Sequence, residues 1–282
     1  MTLLENAPAK INLGLKVLGK RKDGFHDILS IFQTVNLYDE LTITSSGKPG
    51  LVCSHSEVPL DSQNLVLKAE KLFRKLPGDF PRAHYTLKKR IPVGAGLAGG
   101  SSDAAAALRG LMDFHKKDVD DTVLYNLAGK LGSDVPFLMK GGTSVVSGRG
   151  EIIENIAWPF DFFYVIVYPN FSVSTSWAYG NLKEREDTSD SFKKMIDKLK
   201  ISSIHSDEIF SVLHNDFEET VFEKYPVLGK IKTRIMHKGA HKALLTGSGS
   251  SVLGIFDERE RAVCCAHSLK SSKFEIFIVK KC

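Results

Sequence analysis

The sequence predicts an α+β protein in two domains, and three observations carry that expectation. Polar and apolar residues alternate over the first strand-like segment. Helical spacing takes over after a glycine-rich stretch. Beyond Trp158-Pro159 a solid apolar strand opens a second series of helices and short strands. Strands and helices that arrive in blocks, without strict β-α alternation, favour helices laid on a mostly antiparallel sheet. The chain has 282 residues, above the roughly 100–200 usual for one domain. The change of pattern sets a boundary near residue 155, giving domains over 1–155 and 156–282.

From Ala9 onward, Lys10, Asn12 and Gly14 share one face and Ile11, Leu13 and Leu15 the other. That period of two reads as a half-buried strand from which Lys10 and Asn12 project together. Strands are also expected at 41–44 and 84–91, with a helix at 65–76. A glycine-rich segment, 93–100, runs through Ser101 and Ser102 into a helix marked by Ala104, Ala107, Leu108, Leu111 and Met112. A serine cap followed by Asp103 in the first turn makes a good helix start. A helix at 121–131 is stopped by Gly132, and 143–146 with 151–156 flank a hairpin turn. The second region reads as a strand at 162–168 and a polar stretch, 183–207, forming an exposed helix plus loop. Helices at 211–222 and 228–237, strands at 243–246 and 252–256, a helix at 259–270 and a strand at 274–279 complete the chain.

Composition narrows the function classes. With 43% hydrophobic and 25% charged residues, the chain is neither disordered, collagen-like nor a disulfide scaffold. Lys plus Arg is 38 against 33 Asp plus Glu, a net charge of +5, which suits an anionic small molecule better than nucleic acid. Cys53, Cys264, Cys265 and Cys282 have no metal-ligand spacing and read as reduced thiols of a cytoplasmic protein. Glu5 and Lys10 interrupt any apolar leader, and the longest apolar run, 162–168, is far below the ~20 residues of a membrane span.

The most informative stretch is Pro92-Val93-Gly94-Ala95-Gly96-Leu97-Ala98-Gly99-Gly100-Ser101-Ser102. Glycines permit positive φ and close backbone approach, and free amides at the following helix start attract anions. Four glycines in seven residues exceed what a tight strand–helix connection needs. No lysine follows Gly100, so this is no P-loop. Residues 94–99 match G-x-G-x-x-G, yet the preceding strand is polar and alternating where a central parallel strand is apolar. Asp118, Asp120 and Asp121 lie between helices, where no second strand ends, so a dinucleotide-binding domain does not fit.

Pro8-Ala9-Lys10-Ile11-Asn12-Leu13, the segment from Pro92 to Ala104, and Leu245-Thr246-Gly247-Ser248-Gly249-Ser250-Ser251 resemble the three motifs of the GHMP kinases. Asp23-Gly24-Phe25-His26 and Gly132-Ser133-Asp134-Val135-Pro136-Phe137 are similar to one branch of that family. Its members phosphorylate the 2-hydroxyl of 4-diphosphocytidyl-2-C-methyl-D-erythritol with ATP, in mevalonate-independent isoprenoid precursor biosynthesis. The resemblance implies a two-domain fold with its active site in the interdomain cleft and a ferredoxin-like C-terminal domain. It further implies ATP with Mg²⁺, and small-molecule partners in a monomer or weak homodimer that binds neither nucleic acid nor membrane.

The resemblance also assigns roles. Residues 92–102 would bind ATP, and Lys10 with Asp134 would be the catalytic pair, the carboxylate taking the hydroxyl proton and the cation offsetting charge on the moving phosphoryl. From residues alone Asp134 reads first as a helix cap and only then as a base, an order the resemblance reverses, and Lys10 reads as an exposed lysine. Asn12, Phe25, His26, Tyr179, Gly247 and Ser248 would contact the substrate. His26 would hydrogen-bond cytosine and Phe25, where the family commonly has Tyr, would stack on it. Tyr179 stands either on the other face of the base or as a packed helix aromatic. No dedicated carboxylate cage for a metal is visible in the sequence. Rival readings are a GHMP kinase acting on mevalonate-type or amino-acid alcohols, and a non-catalytic nucleotide- or RNA-binding module.

Overall fold

The computed structural model describes residues 1–45, 48–183, 189–201 and 204–282. Contacts divide the chain into two compact units. One comprises Met1–Lys10, Leu37–Val93 and Ala98–Gly141, the other Ile11–Asn36, Gly94–Leu97 and Gly142–Cys282. Two long strands, β1 (Thr2–Lys20) and β2 (His26–Ser45), contribute residues to both. They pair with each other.

In the first unit, the C-terminal half of β2 pairs antiparallel with β4 (Ala83–Lys88), Leu41 opposite Leu87. β4 runs parallel to β3 (Gly50–Cys53). Helices α1 (Leu65–Phe73), α2 (Gly99–His115), α3 (Asp121–Leu131) and α4 (Val135–Lys140) complete it. Ala104 to Leu108 are all buried. Small side chains are needed there because α2 lies close to its support: a Cβ at Gly110 would stand 2.6 Å from Ile43 Cδ1. The Asn64 side chain caps α1, and Asp120 caps α3.

In the second unit, the N-terminal half of β2 pairs antiparallel with β5 (Thr143–Gly148), which forms the expected hairpin with β6 (Ile152–Asn155). A four-stranded antiparallel sheet comes next, ordered β10 (Glu275–Lys280), β7 (Phe163–Tyr168), β9 (Val252–Phe256), β8 (Lys242–Leu245). The helices of this unit are α5 (Thr175–Gly180), α6 (Ser189–Lys200), α7 (Ser206–Val212), α8 (Glu218–Lys224), α9 (Pro226–His237) and α10 (Arg259–Leu269). Val165 and Val167 of β7 pack with Phe217, Val221, Ile231, Ile235, Val252 and Phe256 in one core. Each such side chain contributes about 1.5–3 kcal/mol by leaving water. Tyr164 to Tyr168 are buried throughout, which explains why that strand is continuously apolar.

Several elements differ from the sequence reading. β1 is buried on both faces from Ala9 to Lys16, because its polar side chains meet partners and not solvent. Helix α2 starts two residues before Ser101, after Ala98 in left-handed backbone (φ 56°), and no serine caps it. Ser102 instead donates its hydroxyl to Pro8 O at 2.7 Å. The helix expected over 211–222 is two helices parted by a turn. In that turn Leu15 N donates to His214 O and Asp216 N to Leu15 O, so β1 interrupts what spacing alone would continue. Of the polar stretch 183–207, residues 184–188 and 202–203 lie outside the described residues, and α6 accounts for its helical part.

Asn215 is the polar centre of that turn. Its Nδ2 donates to Leu245 O (2.8 Å) and Gly247 O (2.7 Å), while its Oδ1 accepts from Phe217 N (2.9 Å). Only 2% of the residue is exposed. Asn215→Ala leaves three buried backbone groups short of a partner and is expected to lower the unfolding free energy by about 2–4 kcal/mol. Urea denaturation of the two proteins measures it, and a loss below 0.5 kcal/mol, roughly the effect of a neutral surface change, would contradict this account.

Candidate active site

Within the first unit, Lys10 Nζ lies 3.6 Å from Asp134 Oδ2. The lysine side chain is 6% exposed and that of Asp134 32%. β1 brings the lysine, flanked by buried Ala9 and Ile11. Asp134 occupies the N-cap position of α4, yet its side chain makes no capping hydrogen bond. The cap reading of this residue therefore lacks its bond, and the carboxylate faces a buried cation.

The glycine loop answers first to the protein around it. Gly94 and Gly96 have φ of 68° and 78°, which glycine adopts without strain. A Cβ at Gly96 would meet Thr246 O at 2.6 Å and Gly249 O at 2.8 Å, and one at Gly94 would meet Ser172 Cβ at 2.7 Å. Ser251 N donates to Ala95 O at 3.2 Å. The β8–β9 turn thus packs backbone to backbone on residues 94–96. Asn12 joins the same arrangement through its N–H, which donates to Thr246 Oγ1 at 3.0 Å, and through Nδ2, which donates to Ser30 Oγ at 3.0 Å. Gly247 carries φ 57°, and Ser248 Oγ is 2.9 Å from Thr175 Oγ1. Pro92 and Leu97 are buried, Val93 and Ala98 partly so, and Gly100 is exposed at the start of α2.

Phe25 stands in the β1–β2 turn with 53% exposure, its ring 4.8 Å from the Arg149 guanidinium carbon. His26 stacks on Tyr179, centroids 4.9 Å apart and planes at 23°. Tyr179 also meets Phe217 edge-on at 4.8 Å, so its ring backs the histidine inside the unit. Burial, with the Lys20 ammonium, holds the His26 imidazole below its ordinary value. The ring is neutral at pH 7, with one donor and one acceptor nitrogen.

Sequence reasoning missed a second set of buried charges. Lys89 Nζ pairs with Asp39 and donates to Asp103 Oδ2 at 2.8 Å. Asp39 Oδ1 accepts from Arg90 N (2.6 Å) and Ile91 N (2.9 Å). Asp103, read from the sequence as a first-turn helix residue, belongs to this group. Burial pushes its carboxyl up to about 7, opposed by Lys89 and reinforced by Asp39. Lys89 sat inside an expected strand and Asp39 lies 50 positions away, so no spacing rule joined them.

Comparison with known proteins fits this geometry. The family described as "GHMP kinases N terminal domain" matches residues 64–142, and "GHMP kinases C terminal" matches 203–274. A 4-diphosphocytidyl-2-C-methyl-D-erythritol kinase of Chlorobium phaeobacteroides (strain BS1) is 43% identical over 252 residues, 89% of this chain and 87% of the relative. One of Bacillus cereus (strain B4264) is 38% identical, covering 99% of this chain and 97% of its own.

The chain belongs to the GHMP kinases, in the 4-diphosphocytidyl-2-C-methyl-D-erythritol kinase family.

A crystal structure of a 4-(cytidine 5'-diphospho)-2C-methyl-D-erythritol kinase superposes with TM-score 0.81 at 29% identity, covering 99% of this chain and 98% of the other. The Methanococcus jannaschii mevalonate kinase reaches 0.74 at 16% identity, a likeness of fold. The expected α+β GHMP kinase fold is therefore borne out. The antiparallel pairing of β4 with β2 likewise removes the dinucleotide-binding alternative. Among the described residues, no helix is long and apolar enough to cross a membrane.

For this GHMP kinase the glycine motif holds two kinds of position. Gly96→Ala brings a side chain against two backbone oxygens at positive φ, and is expected to lower stability by about 1–3 kcal/mol. Gly100→Ala meets nothing nearer than Leu65 Cδ1 at 3.8 Å and is expected to leave the melting temperature unchanged. Calorimetric melting of both variants checks the contrast, and equal stability would refute it.

Proposed function

We propose that the protein transfers the γ-phosphoryl group of ATP to the 2-hydroxyl of 4-diphosphocytidyl-2-C-methyl-D-erythritol. The observation that carries the chemistry is the Lys10–Asp134 pair at 3.6 Å. The substrate class is supported by relatives of that name at 37–43% identity over most of the chain. Residues 1–155 form the N-terminal domain in this reading and 156–282 the C-terminal one. The two family matches, one on each side of 155, support that division.

Phosphoryl transfer needs positioning, charge neutralisation and a proton acceptor. Asp134 takes the proton of the 2-hydroxyl. Lys10 stabilises charge developing between acceptor oxygen and phosphorus. The loop from Pro92 through Ser102 (Val93, Gly94, Ala95, Gly96, Leu97, Ala98, Gly99, Gly100, Ser101) carries the ATP phosphates, with exposed amides at the start of α2 as their donors. Asn12, Gly247 and Ser248 contact the substrate in this reading. His26 reads the cytosine edge, Tyr179 fixes the plane of the imidazole, and Phe25 offers its exposed face to the base while Arg149 covers the other. Mg²⁺ would accompany ATP and neutralise phosphate charge. In this reading the ATP phosphates would be among its ligands.

Phosphorus NMR with ATP, Mg²⁺ and a panel of alcohols tests the reaction. Formation of ADP and a new phosphomonoester with the cytidine diphosphate substrate alone is expected. Equal turnover of methylerythritol 4-phosphate would refute the substrate assignment. Asp134→Asn removes the proton acceptor but little volume and is expected to lower kcat by roughly 10²–10⁴. Near-normal turnover in a folded Asp134→Asn protein would exclude this residue as the base.

The lowered His26 value gives a pH signature. Above it the imidazole is neutral and can accept and donate at the base; below it both nitrogens donate and the acceptor is lost. KM for the cytidine substrate is therefore expected to be flat above pH 6.5 and to rise as the pH falls beneath that value, with KM for ATP unaffected. His26→Gln should abolish the acid rise. A rise that survives the substitution would assign it to another group.

A further inference from the structure

We propose that Asp39, Lys89 and Asp103 are positioning residues, a buried clamp that ties the entry of the glycine-rich loop to its exit and holds the loop in its nucleotide-binding shape. The inference rests on the assignment of residues 92–102 to ATP and extends it to side chains that touch no substrate. Asp39 projects from β2 and accepts the amides of Arg90 and Ile91, the two residues before Pro92. Its second oxygen pairs with Lys89, whose ammonium also reaches Asp103 on α2. The chain leaves this unit after Val93 and re-enters at Ala98. One lysine side chain therefore links both ends of the loop to a single strand.

Two further features fit this role. The Lys89 side chain is 3% exposed and that of Asp39 0%, and the ammonium donates to the two carboxylates, away from solvent. A Cβ at Gly99 would stand 3.1 Å from Lys89 Nζ and 3.1 Å from Ile91 Cγ2. The third glycine of the motif thus makes room for the clamp at the point where α2 begins. Two buried acids around one base are a costly arrangement unless each is hydrogen-bonded. Asp39 accepts through both oxygens and Asp103 through Oδ2, its Oδ1 finding no hydrogen bond among the described residues, and every bond made here ends on the loop's own flanks. Fixing those flanks before binding spares the nucleotide the cost of ordering them.

The test uses the full-length chain. ATP affinity with Mg²⁺, from calorimetry with a non-hydrolysable analogue, is compared among wild type, Asp39→Asn, Asp103→Asn, Lys89→Met and the double variant Asp39→Asn/Lys89→Met. Melting temperatures and KM for the cytidine substrate are recorded alongside. Each single variant is expected to weaken nucleotide binding about tenfold, and the double variant no more than the worse single one, since they break one unit. KM for the cytidine substrate is expected to stay constant. The sign is diagnostic: removing a carboxylate through its field alone would tighten binding of an anion, whereas loosening the clamp weakens it. Unchanged or tighter binding by folded Asp39→Asn or Asp103→Asn overturns the proposal, as does a parallel loss of affinity for both substrates. Should Asp39→Asn fail to fold, Asp103→Asn, which loses one bond, decides alone. Wild type that binds no ATP would instead overturn the assignment of the loop itself.

Discussion

The backbone contact at Gly96 is the constraint on which the second unit's polar architecture depends. Two loops can approach until carbonyl oxygens stand 2.6 Å from a hypothetical Cβ only when one of them carries no side chain. Once they do, the β8–β9 turn is fixed, and its polar atoms find partners from distant segments. Thr246 accepts from Asn12 on β1, Ser248 meets Thr175, and Ser250 donates to Phe171 O. Asn215 closes the turn from below through Leu245 and Gly247. The motif's first two glycines thus serve the protein's own packing. In the proposed reading, the loop's donors to phosphate are the amides at the start of α2.

Buried charge is the second organising term. Lys10, Asn12, Gly14 and Lys16 alternate along β1 on one side of the strand. Residues Lys10, Asn12 and Lys16 are 4%, 0% and 6% exposed. A cation taken from water costs several kcal/mol unless a carboxylate meets it. Lys10 has Asp134 in the first unit, and Lys16 has Asp216 at 3.7 Å in the second. Burial alone would raise the Asp216 carboxyl, yet His214, the Val17 amide and Lys16 together bring it below its ordinary range. Its contribution to stability is therefore present at neutral pH and is lost only as pH falls through that depressed value. At Asp103 burial wins instead, because one lysine is divided between two acids.

What the sequence made legible was local. Helix α3 has its cap at Asp120 and its stop at Gly132, and the β5–β6 hairpin has glycines at its turn. Period and turn chemistry sufficed for both. Local rules failed where a distant segment intervened. The helix expected over 211–222 breaks because Leu15 supplies hydrogen bonds to the break. The serine cap is absent because Ala98 adopts left-handed backbone, and Ser102 is drawn to Pro8. The strand read as half-buried is wholly buried because its polar face meets Asp134, Ser30, Thr246 and Asp216. Lys10, Asn12 and Asp134 could be named as site residues because they lie within recognisable motifs. Asp39 and Lys89, whose side chains are buried, lie in ordinary strand context and come together only in the folded chain.

Asp134 shows how a cap position can be released for other work. A capping aspartate normally has extended backbone, and its carboxylate folds back to accept an amide of the first turn. Here the backbone is already helical, φ −83° and ψ −17°, and the capping bond is absent. The charge is not abandoned, since Lys10 stands within ion-pair range, but 3.6 Å is longer than the ~2.7–2.9 Å of a fully formed charged hydrogen bond. In the reaction proposed above, the acceptor hydroxyl would bond the carboxylate through its proton while its oxygen lay in the field of the ammonium. Strand and helix hold the pair in place, so the proposed proton transfer would require little reorganisation. That is the condition under which an electrostatic arrangement favours the transition state over the ground state.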